Sequence, residues 1–218
     1  MEASFTKANK YLFDSKAWSW NLPSGTTCPG ALKCLAAANR NTGKVINGPH
    51  QEFKCYSATY ERYPSVRDRV WANFDSVRGK SSVEVSSLLG RIFPKTDLVR
   101  IHSGGDFFSQ DYFDGWLRFV ESMPDVLFWA FTKSLPFWLC RLDSIPGNLV
   151  LQASYGGKHD ALIGEYGLKY AKVVYSVEES VELGLEIDWD DRLAAYGTDS
   201  FALLEKKVAG RLKRSGLI

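Results

Sequence analysis

Leu98-Val99-Arg100-Ile101-His102-Ser103-Gly104-Gly105-Asp106 reads as a short apolar strand running directly into a polar turn with two glycines. Downstream, Tyr112, Phe113, Trp116, Leu117 and Val120 recur at helical spacing between Gln110 and Met123, and Pro124-Asp125 stops that helix. The unit then repeats. Val126 to Phe131 is a second strand closing in Thr132-Lys133-Ser134, Phe137 to Leu142 is a short helix, and Leu149 to Ser154 and Ala171 to Ser176 are two further strands. Upstream, Tyr11 to Trp20 supplies a first strand, and Ser65 to Val77 is a helix rich in arginine and aromatic residues. Short continuous apolar strands alternating with helices call for parallel pairing with both faces covered. About five or six strand–helix units are too few for the closed eight-stranded barrel, so the expected fold is α/β, a partial (β/α) barrel. One domain over residues 1–218 is expected, with a cysteine loop at 28–55 and a basic helical tail at about 200–218. In such folds the carboxyl ends of the strands carry the chemistry.

Hydrophobic residues make up 45% of the chain and charged residues 24%, the balance of a globular protein rather than a disordered one. With 27 Lys plus Arg against 25 Asp plus Glu, the formal charge of +2 gives no general attraction to polyanions. Nucleic-acid binding would need a local patch, for which the tail Lys206, Lys207, Arg211, Lys213 and Arg214 and the residues Arg67, Arg69 and Arg78 are candidates. A solvated helix face explains the tail equally simply. No stretch approaches the apolar length of a membrane span, and the N-terminus resembles no targeting signal, so a cytoplasmic location without membrane contact is expected. Three histidines in all, with no Ser, His and Asp at interpretable spacing, argue against hydrolytic chemistry.

The cysteines carry more. Cys28, Cys34 and Cys55 crowd one segment, with five and then twenty residues between them, while Cys140 lies in the apolar run Phe137-Trp138-Leu139-Cys140 and reads as packing. A reducing compartment disfavours disulfides, which leaves metal binding. Structural zinc needs a fourth ligand, for which His50, His102 or Cys140 are candidates; an iron–sulfur cluster held by three thiolates instead keeps one iron open for a ligand or substrate. Small buried thiols without metal are the plain alternative. Trp18, Trp20, Tyr56, Tyr60 and Tyr63 flank the cysteines, as shields against water or as ordinary packing.

A first strand, a three-cysteine loop and a second strand closing in Ser103-Gly104-Gly105-Asp106 together resemble the radical S-adenosylmethionine superfamily, whose cysteine spacing is tighter and whose acidic residue is more often Glu. That resemblance implies a 4Fe-4S cluster on Cys28, Cys34 and Cys55, with S-adenosylmethionine bound at the open iron through its amino and carboxylate groups. It implies that Gly104 and Gly105 admit the methionine and that Asp106 pairs with its ammonium. It further places Thr132, Lys133 and Ser134 at the next strand end, a lysine for a carboxylate and hydroxyls for ribose, and Gln152, Ser154 and Ser176 at equivalent ends. One-electron cleavage of the cosubstrate to methionine and a 5′-deoxyadenosyl radical would require an electron donor.

The chain is also similar to a phage family, the gene product eighty-eight-like proteins. The residues that carry this are Thr27-Cys28-Pro29-Gly30, Lys54-Cys55-Tyr56, Val66-Arg67 with Asn73, His102 through Ser109 with Tyr112 and Trp116, Thr132-Lys133-Ser134, and Asp190-Asp191 with Phe201-Ala202-Leu203-Leu204. Membership implies a fold, a metal site and residence in the host cytoplasm, and names no substrate. Two functions follow as expectations. One is a small radical S-adenosylmethionine enzyme acting on an unknown substrate, a nucleotide or nucleic acid among the options. The other is a non-catalytic phage protein that holds zinc or an iron–sulfur cluster and binds a nucleic acid or protein partner.

Overall fold

The computed structural model describes residues 2–8 and 12–214. In chain order its elements are β1 (Thr6–Lys7), β2 (Trp18–Trp20), β3 (Ala36–Ala38), β4 (Val45–Asn47), α1 (Tyr56–Tyr60), α2 (Pro64–Val77), α3 (Ser82–Ile92) and β5 (Leu98–Ile101). There follow α4 (Gln110–Glu121), β6 (Leu127–Thr132), α5 (Leu135–Leu139), β7 (Leu149–Ser154), α6 (Ala161–Glu165), β8 (Tyr170–Val174), α7 (Val177–Glu182), β9 (Glu186–Ile187), α8 (Arg192–Tyr196), β10 (Phe201–Leu204) and α9 (Lys206–Arg214).

The sheet order is β1-β2-β5-β6-β7-β8-β10-β9. Within this sheet, among the described residues, the β1–β2 pair is antiparallel and the other pairs are parallel, while β3 and β4 form a separate antiparallel pair. The chain is therefore α/β with a mostly parallel sheet. From β2 to β8 the strands are laid down side by side in chain order, with no reversal of the kind that marks a doubly wound sheet.

Residues alternate across the sheet. Val99, Ile101, Phe128 and Ala130 face the large core built with α4, whose Tyr112, Phe113, Trp116, Phe119 and Val120 form its buried side. Leu98, Trp129, Ala171 and Phe201 face the other way, against Ala194 and Ala195 of α8. Alternation in β5 places Arg100 on that second face. Gln152, fully buried, donates from Nε2 to the Ala194 carbonyl at 2.6 Å and so pins α8 to β7.

Several boundaries differ from the sequence reading. The expected first strand starts at Tyr11, outside the described residues, and the strand observed is only Trp18–Trp20. The expected helical tail begins as strand β10, and helix starts at Lys206. A β-branched or aromatic density would have marked that strand, but Phe201-Ala202-Leu203-Leu204 has helix-forming leucine and alanine, and its pairing with β8 overrides that propensity. Helix α3 is absent from the sequence expectation, although Ser81 and Glu84 make a reciprocal capping box at its start. Among the described residues no helix is long and apolar enough to cross a membrane.

Candidate active site

A cavity of about 390 Å³ opens at the carboxyl ends of the parallel strands, within the size range of small-molecule sites. Cys28, Cys34 and Cys55 all line it. The wide gap between the last two is an inserted hairpin: β3 and β4 pair antiparallel, and the excursion returns where Glu52 N–H and Phe53 N–H bond the Lys33 carbonyl. The first two cysteines are held against the loop after β7, where Leu32 and Lys33 N–H reach the Gly156 carbonyl and Lys158 N–H reaches that of Gly30. Gly30 packs so tightly on β6's exit that a Cβ there would stand 2.0 Å from the Lys133 carbonyl oxygen.

Two sulfurs accept backbone hydrogen bonds. Gly25 N–H reaches Cys28 Sγ at 3.3 Å, and Ala58 N–H reaches Cys55 Sγ at 3.5 Å, which makes Cys55 the cap of α1. Burial pushes the Cys28 thiol up, and the Asp106 carboxylate adds to that. Burial also raises Cys34, against the pull of the Lys133 ammonium. Among the described residues no three His, Cys, Asp or Glu side chains are grouped to hold one metal ion. The fourth ligands considered for zinc do not converge either. His50 is exposed, Cys140 is exposed beyond α5, and His102 has turned into the core.

His102 is the one residue of β5's exit that sequence alternation misplaces. It adopts φ +64°, a left-handed conformation uncommon outside glycine, and its ring packs among Phe107, Tyr112 and Trp116 at 3% exposure. Its Nε2 pairs with the Tyr112 hydroxyl at 2.9 Å, and that hydroxyl accepts Trp20 Nε1–H at 3.0 Å. Burial lowers the imidazole pKa to about 3, so the ring is neutral.

Of the nominated turn and strand-end residues, Gly104, Gly105, Asp106, Lys133 and Ser154 line the cavity. Gly105 has φ +84° and is required by its neighbours, since a Cβ there would meet Leu22 Cβ at 2.6 Å and the Leu22 carbonyl oxygen at 2.9 Å, while a Cβ on Gly104 would force the Ser57 hydroxyl, 1.9 Å away, to turn aside. Asp106 is turned inward to the frame. It accepts the Thr132 hydroxyl at 2.6 Å, Lys133 N–H at 2.9 Å and Phe107 N–H at 2.7 Å. Lys133 Nζ donates to the Ser154 hydroxyl and to the Ser154 and Tyr155 carbonyls at 3.0 and 2.8 Å.

Thr132, Ser134, Gln152 and Ser176 are not among the cavity's lining residues. Thr132 serves Asp106, Ser134 Oγ donates to the Phe107 carbonyl at 2.6 Å, Gln152 sits under α8, and Ser176 caps α7 by accepting Glu179 N–H at 3.1 Å. Thr132 ends β6 with Ser134 just past it, Gln152 lies within β7 and Ser176 lies past β8, and pleating and capping needs send each side chain elsewhere.

The sequence reading missed the opposite wall. Arg100 Nη1 stands 2.8 Å from Asp191 Oδ2, its Nη2 reaches the Tyr56 hydroxyl at 3.4 Å, and its guanidinium lies 5.1 Å from the Phe131 ring centre. Lys206 Nζ lies 3.6 Å from the Tyr56 ring centre, and Trp189 completes this wall. The available signals were Arg100, a charge inside an otherwise apolar strand, Tyr56, which flanks the cysteines, and Asp191, which entered the sequence reading only through the family resemblance.

A family model described as Gene product 88 matches residues 2–218. The gene 88 protein of Mycobacterium phage L5 is 30% identical over 128 residues, covering 53% of this chain and 47% of its own length. That of Mycobacterium phage D29 is 30% identical over 130 residues with the same coverage. The chain thus spans about half the length of these curated relatives. No solved structure matches it.

Proposed function

We propose that this chain, which belongs to the gene product 88 family, is an iron–sulfur protein that binds S-adenosylmethionine at an open cluster iron and acts as a small radical S-adenosylmethionine enzyme. The observation that carries this reading is the convergence of Cys28, Cys34 and Cys55 on one cavity at the carboxyl edge of a parallel sheet. Three residues brought together from either side of a hairpin insertion are hard to explain as separate packing thiols. A cluster is proposed rather than zinc because three thiolates leave one iron of a cluster open, whereas structural zinc needs a fourth protein ligand, and His50, His102 and Cys140 do not converge on these cysteines. Backbone N–H donors on Cys28 and Cys55 suit thiolates, whose cluster potentials such bonds tune. Strands wound in chain order support the partial-barrel form of the fold.

When bound, the cluster supplies one-electron reduction of the cosubstrate. The protein's own part is positional. Gly104 and Gly105 bring backbone to the cavity wall, Lys133 holds a fixed cation beside Cys34, and Asp106 locks the turn to β6 rather than meeting a ligand ammonium. The host cytoplasm, where thiols stay reduced, is the compartment this chemistry requires.

The test is anaerobic purification and reconstitution, with iron, sulfide and zinc analysis and electron paramagnetic resonance of the reduced protein with and without S-adenosylmethionine. About four irons per chain and a spectrum that changes with the cosubstrate are expected. Stoichiometric zinc, or a cluster indifferent to the cosubstrate, turns the assignment to a non-catalytic metal-binding phage protein.

A further inference from the structure

Arg100 stands on the inner face of a central strand, where a charged side chain is costly unless paired. Asp191 pairs with it, and the two side chains are each 14% exposed. Asp191 is itself positioned by Trp129 Nε1–H at 3.1 Å and by a left-handed backbone at φ +69°. A guanidinium has five N–H donors. Here Nη1 meets Asp191, Nη2 makes only the 3.4 Å contact with Tyr56, and Nε–H is buried without a partner among the described residues. The donor left for a ligand is therefore on Nη2, beside the Asp191 carboxylate acceptor.

Trp189 belongs to the same loop as Asp191. It lines the cavity, is 44% exposed, and makes no ring contact among those described, whereas Phe131 is covered by Arg100 and Tyr56 by Lys206. It is the open aromatic face of the wall.

We infer that this wall binds a nucleobase: Arg100 donates to a base acceptor, Asp191 accepts from a base amino or imino group, and Trp189 stacks on the ring. Paired donor and acceptor edges are how side chains read bases, and stacking accepts any base because each has a π-face. At this wall an anionic group is opposed, because Asp191 already neutralises Arg100 and Asp188, Asp190 and Glu205 offset the cavity's Lys54, Lys133 and Lys206. A neutral planar ligand meets no such opposition. The inference deepens the proposed function in naming what is bound, and it relies on that reading only for what is then done to the base. Two molecules present this chemistry, the adenine of S-adenosylmethionine and the base of a nucleoside substrate.

The full-length chain as purified, with its metal content recorded, is titrated with adenosine, guanosine, cytidine, uridine, thymidine and S-adenosylmethionine by calorimetry. Binding of at least one nucleoside is expected, weakened about tenfold or more in Trp189→Ala and in Arg100→Lys. Trp189 is 44% exposed and belongs to none of the core clusters among the described residues, so its variant stays informative if Arg100→Lys fails to fold. Binding confined to adenosine and S-adenosylmethionine assigns the wall to the cosubstrate, and binding of any other nucleoside assigns it to the substrate. No nucleoside binding at millimolar concentrations, or unchanged affinity in Trp189→Ala, overturns the inference. A chain that binds nucleosides yet carries no cluster loses the enzyme reading and keeps this one.

Discussion

The Asp106 carboxylate accepts the Lys133 backbone N–H at 2.9 Å across 27 positions of the chain, tying the turn after β5 to the end of β6. With the Thr132 hydroxyl and Phe107 N–H on its other oxygen, Asp106 becomes the joint around which one half of the cavity is organised. Replacing it by Ala leaves three buried donors without an acceptor, at about 1–3 kcal/mol for an unsatisfied group. A urea midpoint clearly below wild type is expected for Asp106→Ala, with a smaller loss for Asp106→Asn; an unchanged midpoint would remove Asp106 from this role.

Glycine is required at position 30 for contact, not for conformation. A Cβ there meets the Lys133 carbonyl oxygen at 2.0 Å, a backbone atom that cannot swing aside, while one at Gly147 meets nothing within 4 Å. Gly30→Ala is therefore expected to lose about 1–3 kcal/mol and to retain less metal, since the cysteine loop must lift from β6. Gly147→Ala is expected to be neutral or to gain about 0.4–1 kcal/mol. Thermal melts of the two variants side by side decide it, and equal melts refute the contact argument.

His102 gives the protein an acid sensitivity of definite sign. Its folded pKa of about 3 lies below the ordinary value of 6.5, so the unfolded chain takes up the proton first. Its neutral form contributes full stability above the unfolded value, and that contribution falls away as pH drops from about 6.5 toward 3, by up to about 4–5 kcal/mol over the whole window. His102→Asn tolerates the left-handed backbone and does not titrate. Denaturant midpoints measured from pH 7 to pH 4 are expected to fall less steeply in the variant. Parallel slopes would place the acid sensitivity elsewhere.

Cys28→Ser, Cys34→Ser and Cys55→Ser are each expected to reduce iron and sulfide retention after anaerobic reconstitution, while Cys140→Ser, exposed and outside the cavity, retains both. Iron lost equally in all four, or in none, would contradict a site made of those three thiols.

Much of the frame was legible because it depends on local pattern. The strand at 149–154 and the helix starting at Gln110 were readable since apolar runs and a 3.6-residue period survive whatever they pack against. The three cysteines were readable by type and crowding. Less legible was everything set by side-chain direction at strand ends. Thr132, Ser134, Gln152 and Ser176 lie in or just past their strands and serve other groups, and β10 is a strand only because β8 offers it a partner.

Sequence alone thus determined the alternation of strand and helix, the parallel sheet it implies, and the chemical identity of the thiols and the glycine turn, since these follow from propensity and periodicity. The tertiary structure decided that the twenty-residue gap is a hairpin, that the His102 ring packs into the aromatic core and Asp106 into the cavity's frame, and that Arg100 meets Asp191 across the sheet's inner face. Those outcomes depend on which backbone groups lie within hydrogen-bonding reach after folding, between residues as far apart as Arg100 and Asp191, and no local pattern encodes such a meeting.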